Sequence, residues 1–400
     1  MKELIQKRNS HFYSNSIFKM LKVWIVLIVL LACKISYSQD PTFSQFNLNQ
    51  YYLNPSYTGY HGGYEFAATY RSLWPNVPGK VLLGPLATYY AFISASFHEK
   101  GNYAGSFSFF AMQDEEGEGY LTTNTFGATY AEHFAIRVSR SDREPRLQLS
   151  VGFKGYVNKV SVNWDKLVFT NQLSVDYGIN PASGIGQSGI EATKLFGDMD
   201  AGLLLWNNFM ARDKWYNEVG FSLVHILTPY VSITQQKTEE TRIPRKLVMN
   251  YRSTINMAGD HVSFGPIIFF ELQGKFYELN TGIDLYFRPN PSLNIPIPLT
   301  LSILHRLAAP GYSANTNAMV FGLTHNGRLE KGNKRGDEYY VGFAADFPYL
   351  GLAGQTKGAY ELTVGLIFRK KPADGFKCPW GSADHSSETN TFSSPKPKYK

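Results

Sequence analysis

The chain of 400 residues carries a formal net charge of +7 and is rich in Tyr (26), Phe (28) and Gly (35), with two cysteines. Its slightly negative mean hydropathy excludes a helical membrane protein. Its basic residues form no stripe suited to nucleic acid, and Cys33 and Cys378 are too few for metal sites built on cysteine pairs. What is left is an exported β-protein: a soluble sandwich or propeller, or a membrane barrel with aromatic interfacial girdles.

Residues 1–38 read as an export signal. Lys19 and Lys22 precede the apolar run Val23 to Ala32, and Ser36-Tyr37-Ser38 offers a small-x-small cleavage site that leaves Gln39 first. The run is too short to span a bilayer as a helix. Leu30-Leu31-Ala32-Cys33 permits a second reading, a lipoprotein box with Cys33 lipidated. The start at Met1 or Met20 stays open, and both readings take the chain out of the cytoplasm.

Residues 39–63 form a lead-in. Its core, DPTFSQFNLNQYYLNPSYTG, has no clean period and is rich in Asn, Gln and aromatics. It reads as an ordered irregular segment entering from the periplasm, or as a plug for a barrel mouth. From residue 64 to 369 a period of two recurs. In Arg146 to Asn158, Leu147, Leu149, Val151, Phe153 and Val157 oppose Gln148, Ser150, Lys154, Tyr156 and Asn158. In Tyr360 to Phe368, Leu362, Val364, Leu366 and Phe368 oppose Glu361 and Thr363. About fourteen such strands are expected, each long enough at roughly ten residues to cross a bilayer when tilted. The fold class is all-β, a transmembrane antiparallel β-barrel of outer-membrane type.

An even strand count puts both barrel ends on the periplasmic side, with short turns there and long loops outside. Ser72–Pro85, Gln113–Thr123 and Lys159–Gly197 are then long external connections, and His98–Asn102 and Ser139–Pro145 short internal ones. The tiny connection near Leu272–Gly274 breaks this alternation and points to an error of count or register. Residues 370–400 are a polar tail rich in Ser, Pro and Lys, expected in the periplasm.

Several segments resemble the PorP/SprF family of the type IX secretion system. The lead-in, with Asp40, Pro41, Phe43, Gln45, Phe46, Asn54 and Pro55, is similar to the family's opening signature. Tyr70-Arg71-Ser72-Leu73-Trp74-Pro75 resembles its Tyr-Arg-x-x-Trp-Pro, and Asp114, Gly117, Gly119 and Leu121 resemble its Asp-x-x-Gly-x-Gly-x-Leu. Trp164, Asp165, Phe169, Asn171 and Gln172 resemble the stretch after its fifth strand, and Cys378-Pro379 a Cys-Pro near its end. Tyr360-Glu361 departs from a His-Glu pair there, and the insertion over 171–197 is particular to this chain. The resemblance implies an outer-membrane barrel with no enzymatic role and no cofactor, serving secretion and surface display. Its implied partners are the C-terminal domain of a secreted adhesin, the ring proteins and lipoproteins of the secretion machine, and outer-membrane lipid, with no nucleic acid. By the alternating topology, Trp74, Pro75, Asp114, Gly117, Gly119, Trp164, Asp165, Phe169 and Gln172 would meet cargo outside, and Arg71 is a candidate for binding a partner or the plug. Trp and Tyr in such loops make rigid apolar anchors. The lead-in would meet the machine or plug the barrel. A selective porin and a scaffold touching only the periplasmic machine are the competing functions.

Other chemistry is weaker. The nine histidines lack metal-ligand spacing, and His133 reads as a lumen-facing polar residue on a strand. Glu132-His133 with nearby serines is too common a grouping to mark a hydrolase. Gly184-x-Gly186-x-x-Gly189 lacks the flanking strand and helix of a dinucleotide site. The acidic run Asp114 to Glu118 lacks calcium-loop spacing and reads as a solvated turn.

Overall fold

The computed structural model describes residues 40–75, 86–100, 103–117, 121–138, 145–163, 167, 173–174, 178–179, 193–208, 215–231, 241–257, 262–288, 297–308, 317–329, 337–349 and 358–368. Its strands are β1 (Tyr64–Leu73), β2 (Leu86–Lys100), β3 (Tyr103–Glu116), β4 (Leu121–Val138), β5 (Pro145–Ser161), β6 (Leu173–Ser174), β7 (Gly178–Ile179), β8 (Thr193–Asn208), β9 (Trp215–Val224), β10 (Lys246–Asn256), β11 (Val262–Gln273), β12 (Phe276–Phe287), β13 (Leu299–Ala308), β14 (Ala318–Arg328), β15 (Glu338–Pro348) and β16 (Ala359–Phe368). Fourteen of them form one closed antiparallel meander, and β6 with β7 makes a separate two-stranded sheet. The barrel closes where β1 pairs β16, in register from Tyr64↔Phe368 to Leu73↔Ala359.

The period-two pattern sorts residues between a lipid face and a lumen. On β5, Phe153 is 54 % exposed while Lys154 next to it is 4 % exposed. On β16, Leu362, Val364, Leu366 and Phe368 point out, and Glu361 and Thr363 point in and are buried. A wall exposing this much Phe, Tyr and Leu would associate in water, so it is built to meet lipid. The polar side chains line the interior, the reverse of a soluble protein.

The three longest connections lie at one end of the barrel, here the loop end: 74–85, 162–192 and 225–245. The other, turn end carries 101–102, 139–144, 209–214, 257–261, 288–298 and 329–337. The tiny connection near residue 274 is no error of count. Gln273 pairs Phe276, so Gly274 and Lys275 are a true two-residue hairpin at the loop end. The reading of a long loop over Gln113–Thr123 is corrected. β3 and β4 extend into it, pair as far as Glu116↔Leu121, and leave only 117–120 as connection. The wall is uneven. β8 stops pairing β9 at Ala201 but stays paired with β5 as far as Thr193, so the β5–β8 hairpin stands above its neighbour at the loop end.

Candidate functional site

The barrel is not hollow. Residues 40–63 cross its lumen as a lead-in that includes one helical turn (Gln50–Leu53) and a 3₁₀ turn (Pro55–Tyr57). With no ladder to join, this irregular backbone must find its hydrogen bonds among wall side chains and its own turns. The wall's inward polar residues supply them, and two apolar clusters fill the space between. Phe43, Tyr51, Tyr57 and Tyr60 pack with Tyr90, Phe92 and Trp206 in one. Phe46 and Leu53 pack with Val248, Ile267 and Phe269 in the other, the rings of Phe46 and Phe269 stacked at 4.9 Å.

Near the loop end the lead-in is held by charge. The carboxylate of Glu361 on β16 accepts the backbone N–H groups of Ser44 at 2.6 Å and Gln45 at 3.0 Å and the amide of Asn49 at 3.2 Å. Arg71 on β1 donates to Ser44 Oγ, to Glu361 at 3.4 Å and to Asp346 at 3.2 Å. Asp346 also accepts Ser44 Oγ–H at 2.6 Å and Arg306 at 2.6 Å, and Arg306 pairs with Glu278 at 3.1 Å. Thr69 of β1 donates to Asn49 Oδ1 at 2.7 Å. Asn49 and Ser44 therefore tie together β1 and β16, the two strands of the closing seam.

A second cluster surrounds Asp40. His225, just past β9, sits 2.8 Å from Asp40 and 2.7 Å from Asp198, so both ring nitrogens face carboxylates and both must donate. Burial would lower the pKa of His225, but the charge of Asp40 and the hydrogen bonds to Asp198 and Asp40 push it up to about 10. Burial would likewise raise Asp40, yet the charges of His225 and Lys246 hold it well below the usual carboxylate range. Lys246 lies 3.7 Å from Asp40 and 2.9 Å from Glu271. Lys154 pairs with Asp200 at 2.6 Å and donates to the carbonyl of Tyr52 at 2.8 Å.

Midway down, Asn54 Oδ1 accepts from the N–H and hydroxyl of Ser56, while its amide reaches the carbonyls of Leu203 at 3.1 Å and Phe221 at 3.3 Å. Gly152 and Gly202 open a slot for this turn. A Cβ at Gly152 would overlap the backbone of Pro55 and Ser56, and one at Gly202 the side chain of Asn54. At the turn end tyrosine hydroxyls take over. Tyr51 donates to Glu65 at 2.5 Å, Tyr60 to Glu218 at 2.9 Å, and Tyr340 to Glu65 at 2.9 Å. A cavity of about 180 Å³ remains there, walled by Tyr51, Tyr60, Tyr216, Tyr286 and Tyr339 with Arg252 and Arg288.

The structure gathers some of the sequence-selected residues and scatters others. Phe43, Gln45, Phe46, Asn54 and Pro55 are buried in the lumen, and Asp40 and Pro41 half-buried at its loop end. Arg71 points inward, is buried and contacts Ser44 of the lead-in. Asp114 corrects an expectation. It lies on β3 with its side chain buried and accepts the Thr88 hydroxyl at 2.6 Å, so it is no loop residue and no part of a solvated turn. Trp74 and Pro75 follow β1 at the loop end, where the Trp74 N–H donates to the carbonyl of Gly358, and Gly117 begins the β3–β4 turn. Gly119, Trp164, Asp165, Phe169 and Gln172 lie outside the described residues, as do the export segment and tail. His133 faces the lumen and is buried. The carbonyl of Thr58 can only accept, so Nε2 carries the proton toward it at 2.8 Å and Nδ1 accepts from Ser150 at 2.7 Å. Sequence reading missed Glu361, Asp346, Arg306 and His225. The signal was present for Glu361, a carboxylate on the inner face of a closing strand. The departure from His-Glu falls on Tyr360, which points outward.

A further correction concerns direction. The lead-in does not begin at the turn end from which β1 rises. Its first described residue, Asp40, lies at the loop end.

A family profile described as type IX secretion system membrane protein PorP/SprF matches residues 35–366. Among solved structures the chain is similar to the toluene transporter TbuX of Ralstonia pickettii (10% identity, TM-score 0.45, covering 80% of this chain and 92% of that one). It is also similar to the toluene transporter TodX of P. putida (8%, 0.43, 80% and 93%) and to BamA of Haemophilus ducreyi lacking POTRA domains 1–3 (11%, 0.39, 76% and 70%). No curated relative matches.

Proposed function

The chain belongs to the PorP/SprF family of type IX secretion system membrane proteins, and from that premise we propose that it is a plugged outer-membrane barrel that helps export or hold a secreted adhesin through the adhesin's C-terminal domain. The observation that carries this reading is the occupied lumen. A porin needs a continuous water-filled path, whereas here ion pairs, two apolar clusters and a fitted glycine slot bind residues 40–63 across the interior. A wall shaped around its own plug suits a protein that works at its rims.

The loop end is the rim we assign to cargo and to the cell exterior. The raised β5–β8 hairpin carries the 162–192 connection there and exposes Leu195 and Met199 on its outer face. The turn end would face the periplasm and meet ring proteins and lipoproteins of the machine. Residues 1–38 act as the cleaved export signal, and no enzymatic step is assigned. The test is a pull-down through an affinity tag at Gln187, from outer membrane extracted in mild detergent. A large secreted protein retained through its C-terminal domain is the expected result. Periplasmic ring proteins and lipoproteins alone would replace this reading with the scaffold. A barrel with no companion that conducts in planar bilayers would replace it with the porin.

A further inference from the structure

One wall carboxylate faces lipid. Along β4, Phe126, Tyr130, Phe134 and Ile136 are exposed and turn outward, while Thr129, Ala131 and His133 are buried and turn inward. Glu132 falls in the outward register, between Tyr130 and Phe134. The carboxylates of Glu65, Glu218, Glu278 and Glu361 are, by contrast, buried in the lumen. Directly opposite Glu132 stand Gly105 on β3 and Val151 on β5. Gly105 is the third residue of β3, next to the 101–102 turn, so this row lies near the turn end. An ionisable side chain against lipid is costly and calls for a partner.

The protein supplies that partner only in part. The Tyr130 O–H donates to Glu132 Oε1, and this pair lies at the surface. Glu132 Oε2 is shut off from water and, among the described residues, accepts no hydrogen bond. A phenol hydroxyl stabilises the anion without neutralising it. The Tyr130 oxygen has committed its hydrogen to Oε1 and is left an acceptor, so the two atoms present adjacent acceptors and no donor. The surroundings are aromatic, with the rings of Phe97 and Tyr130 6.3 Å apart. A Cβ at Gly105 would come within 3.3 Å of the Phe97 ring and 3.4 Å of Glu132 Oε1, so the missing side chain lets ring and carboxylate close over β3. A carboxylate, a second acceptor and ring faces together complement a compact cation that carries N–H donors.

We propose that Glu132 and Tyr130 form an outward-facing site for the primary ammonium of a phospholipid headgroup, as in phosphatidylethanolamine. Aromatic residues near strand ends make a barrel's interfacial girdle, and headgroups stand at that level. The ammonium donates to Glu132 Oε1 and to Tyr130 Oη, and its charge meets the carboxylate. A quaternary headgroup has no N–H to give. The face already borders lipid, so no second protein is required. The site rests on the chain being a membrane barrel and on nothing in the cargo reading.

Retained lipid reports the site. The full chain is reconstituted in vesicles of equal parts phosphatidylethanolamine and phosphatidylcholine, released into detergent, and weighed with its bound lipids by native mass spectrometry. The parent is expected to retain phosphatidylethanolamine over phosphatidylcholine by roughly tenfold, the worth of one hydrogen bond to a charged group. Glu132→Gln keeps the shape and should abolish the preference, as should Glu132→Leu. Tyr130→Phe removes one acceptor and should reduce it. Glu115→Gln, at the loop end of β3, should leave it unchanged. A parent with no preference overturns the proposal, and so does a Glu132→Gln protein that keeps it. A Glu132→Leu protein that resists heat better with an unaltered lipid ratio would show the carboxylate to be only a cost, and would overturn it as well. The lipid ratio does not depend on any protein recovered in the Gln187 pull-down, so the two readings fail separately.

Discussion

The two ends of the lumen hold the same segment by different physics. Near the loop end the lead-in meets guanidinium, ammonium and carboxylate groups joined in networks of ion pairs. At the turn end its own tyrosine hydroxyls donate to wall carboxylates, Tyr51 to Glu65 and Tyr60 to Glu218, with Arg252 paired to Glu218, and a cavity of about 180 Å³ is left over. Buried charges are costly unless paired in one geometry, so they specify a position. Rings and hydroxyls fill space at lower stakes. The loop end therefore sets where the plug sits, while the turn end leaves room beside it.

The largest effect should come from between these ends. Gly152→Leu places a side chain where the backbone of Pro55 and Ser56 runs. Overpacking costs about 1–3 kcal/mol where side chains can yield and more where they cannot; here backbone is in the way, so the cost should exceed those of the losses that follow. The lead-in should fail to seat, and planar bilayers should record a conductance that the parent barrel lacks. Next is Glu361→Ala, which removes the carboxylate shared by Arg71, Asn49 and two lead-in N–H groups. Breaking one side of a buried ion pair costs about 3–5 kcal/mol, seen as a lower denaturant midpoint and a lower temperature for loss of the compact band on gels. A weaker outcome than for a tyrosine at the turn end, such as Tyr60→Phe, would erase the contrast between the ends. Asn54→Ala deletes a turn cap and two bonds to the wall and should cost about 1–2 kcal/mol by the same assays.

The smallest effect is that of pH. His225 is raised to about 10, so its contribution to docking the lead-in is complete below its unfolded value near 6.5 and is lost as pH rises through about 10. Asp40 is depressed, so its contribution is complete above the unfolded value near 3.8 and lost as pH falls below it. Protease cleavage near Asp40 should rise on both sides of that window, with Lys246→Met narrowing it and turn-end substitutions leaving it unchanged.

The wall was legible in the sequence and the plug's course was not, for one physical reason. A strand between lipid and lumen must alternate, so Phe153 beside Lys154 and Leu362 beside Glu361 announce their faces. The lead-in packs on all sides, so its sequence has no period to read. Its direction depends on pairings such as Asn49 with Thr69 and Glu361, of which Glu361 lies 312 positions away. Asp114 is hard to place from sequence because an acidic run looks like a turn, yet in a barrel with a polar interior a carboxylate is an ordinary inward strand residue. The Gly274-Lys275 hairpin departs from the expectation of long external loops because that expectation is a tendency, which two residues able to turn need not follow.

Closure of the ring around a chain that passes through it has a consequence for biogenesis. A segment running through a hoop must be in place before the hoop shuts, or else be drawn in afterwards by its free end. Synthesis delivers the lead-in first and β16 last, and Ser44 and Asn49 reach across the junction where β16 meets β1. The final strand thus zips against a neighbour and a passenger at once, and a barrel that completed its circle early would trap its own beginning on the wrong side.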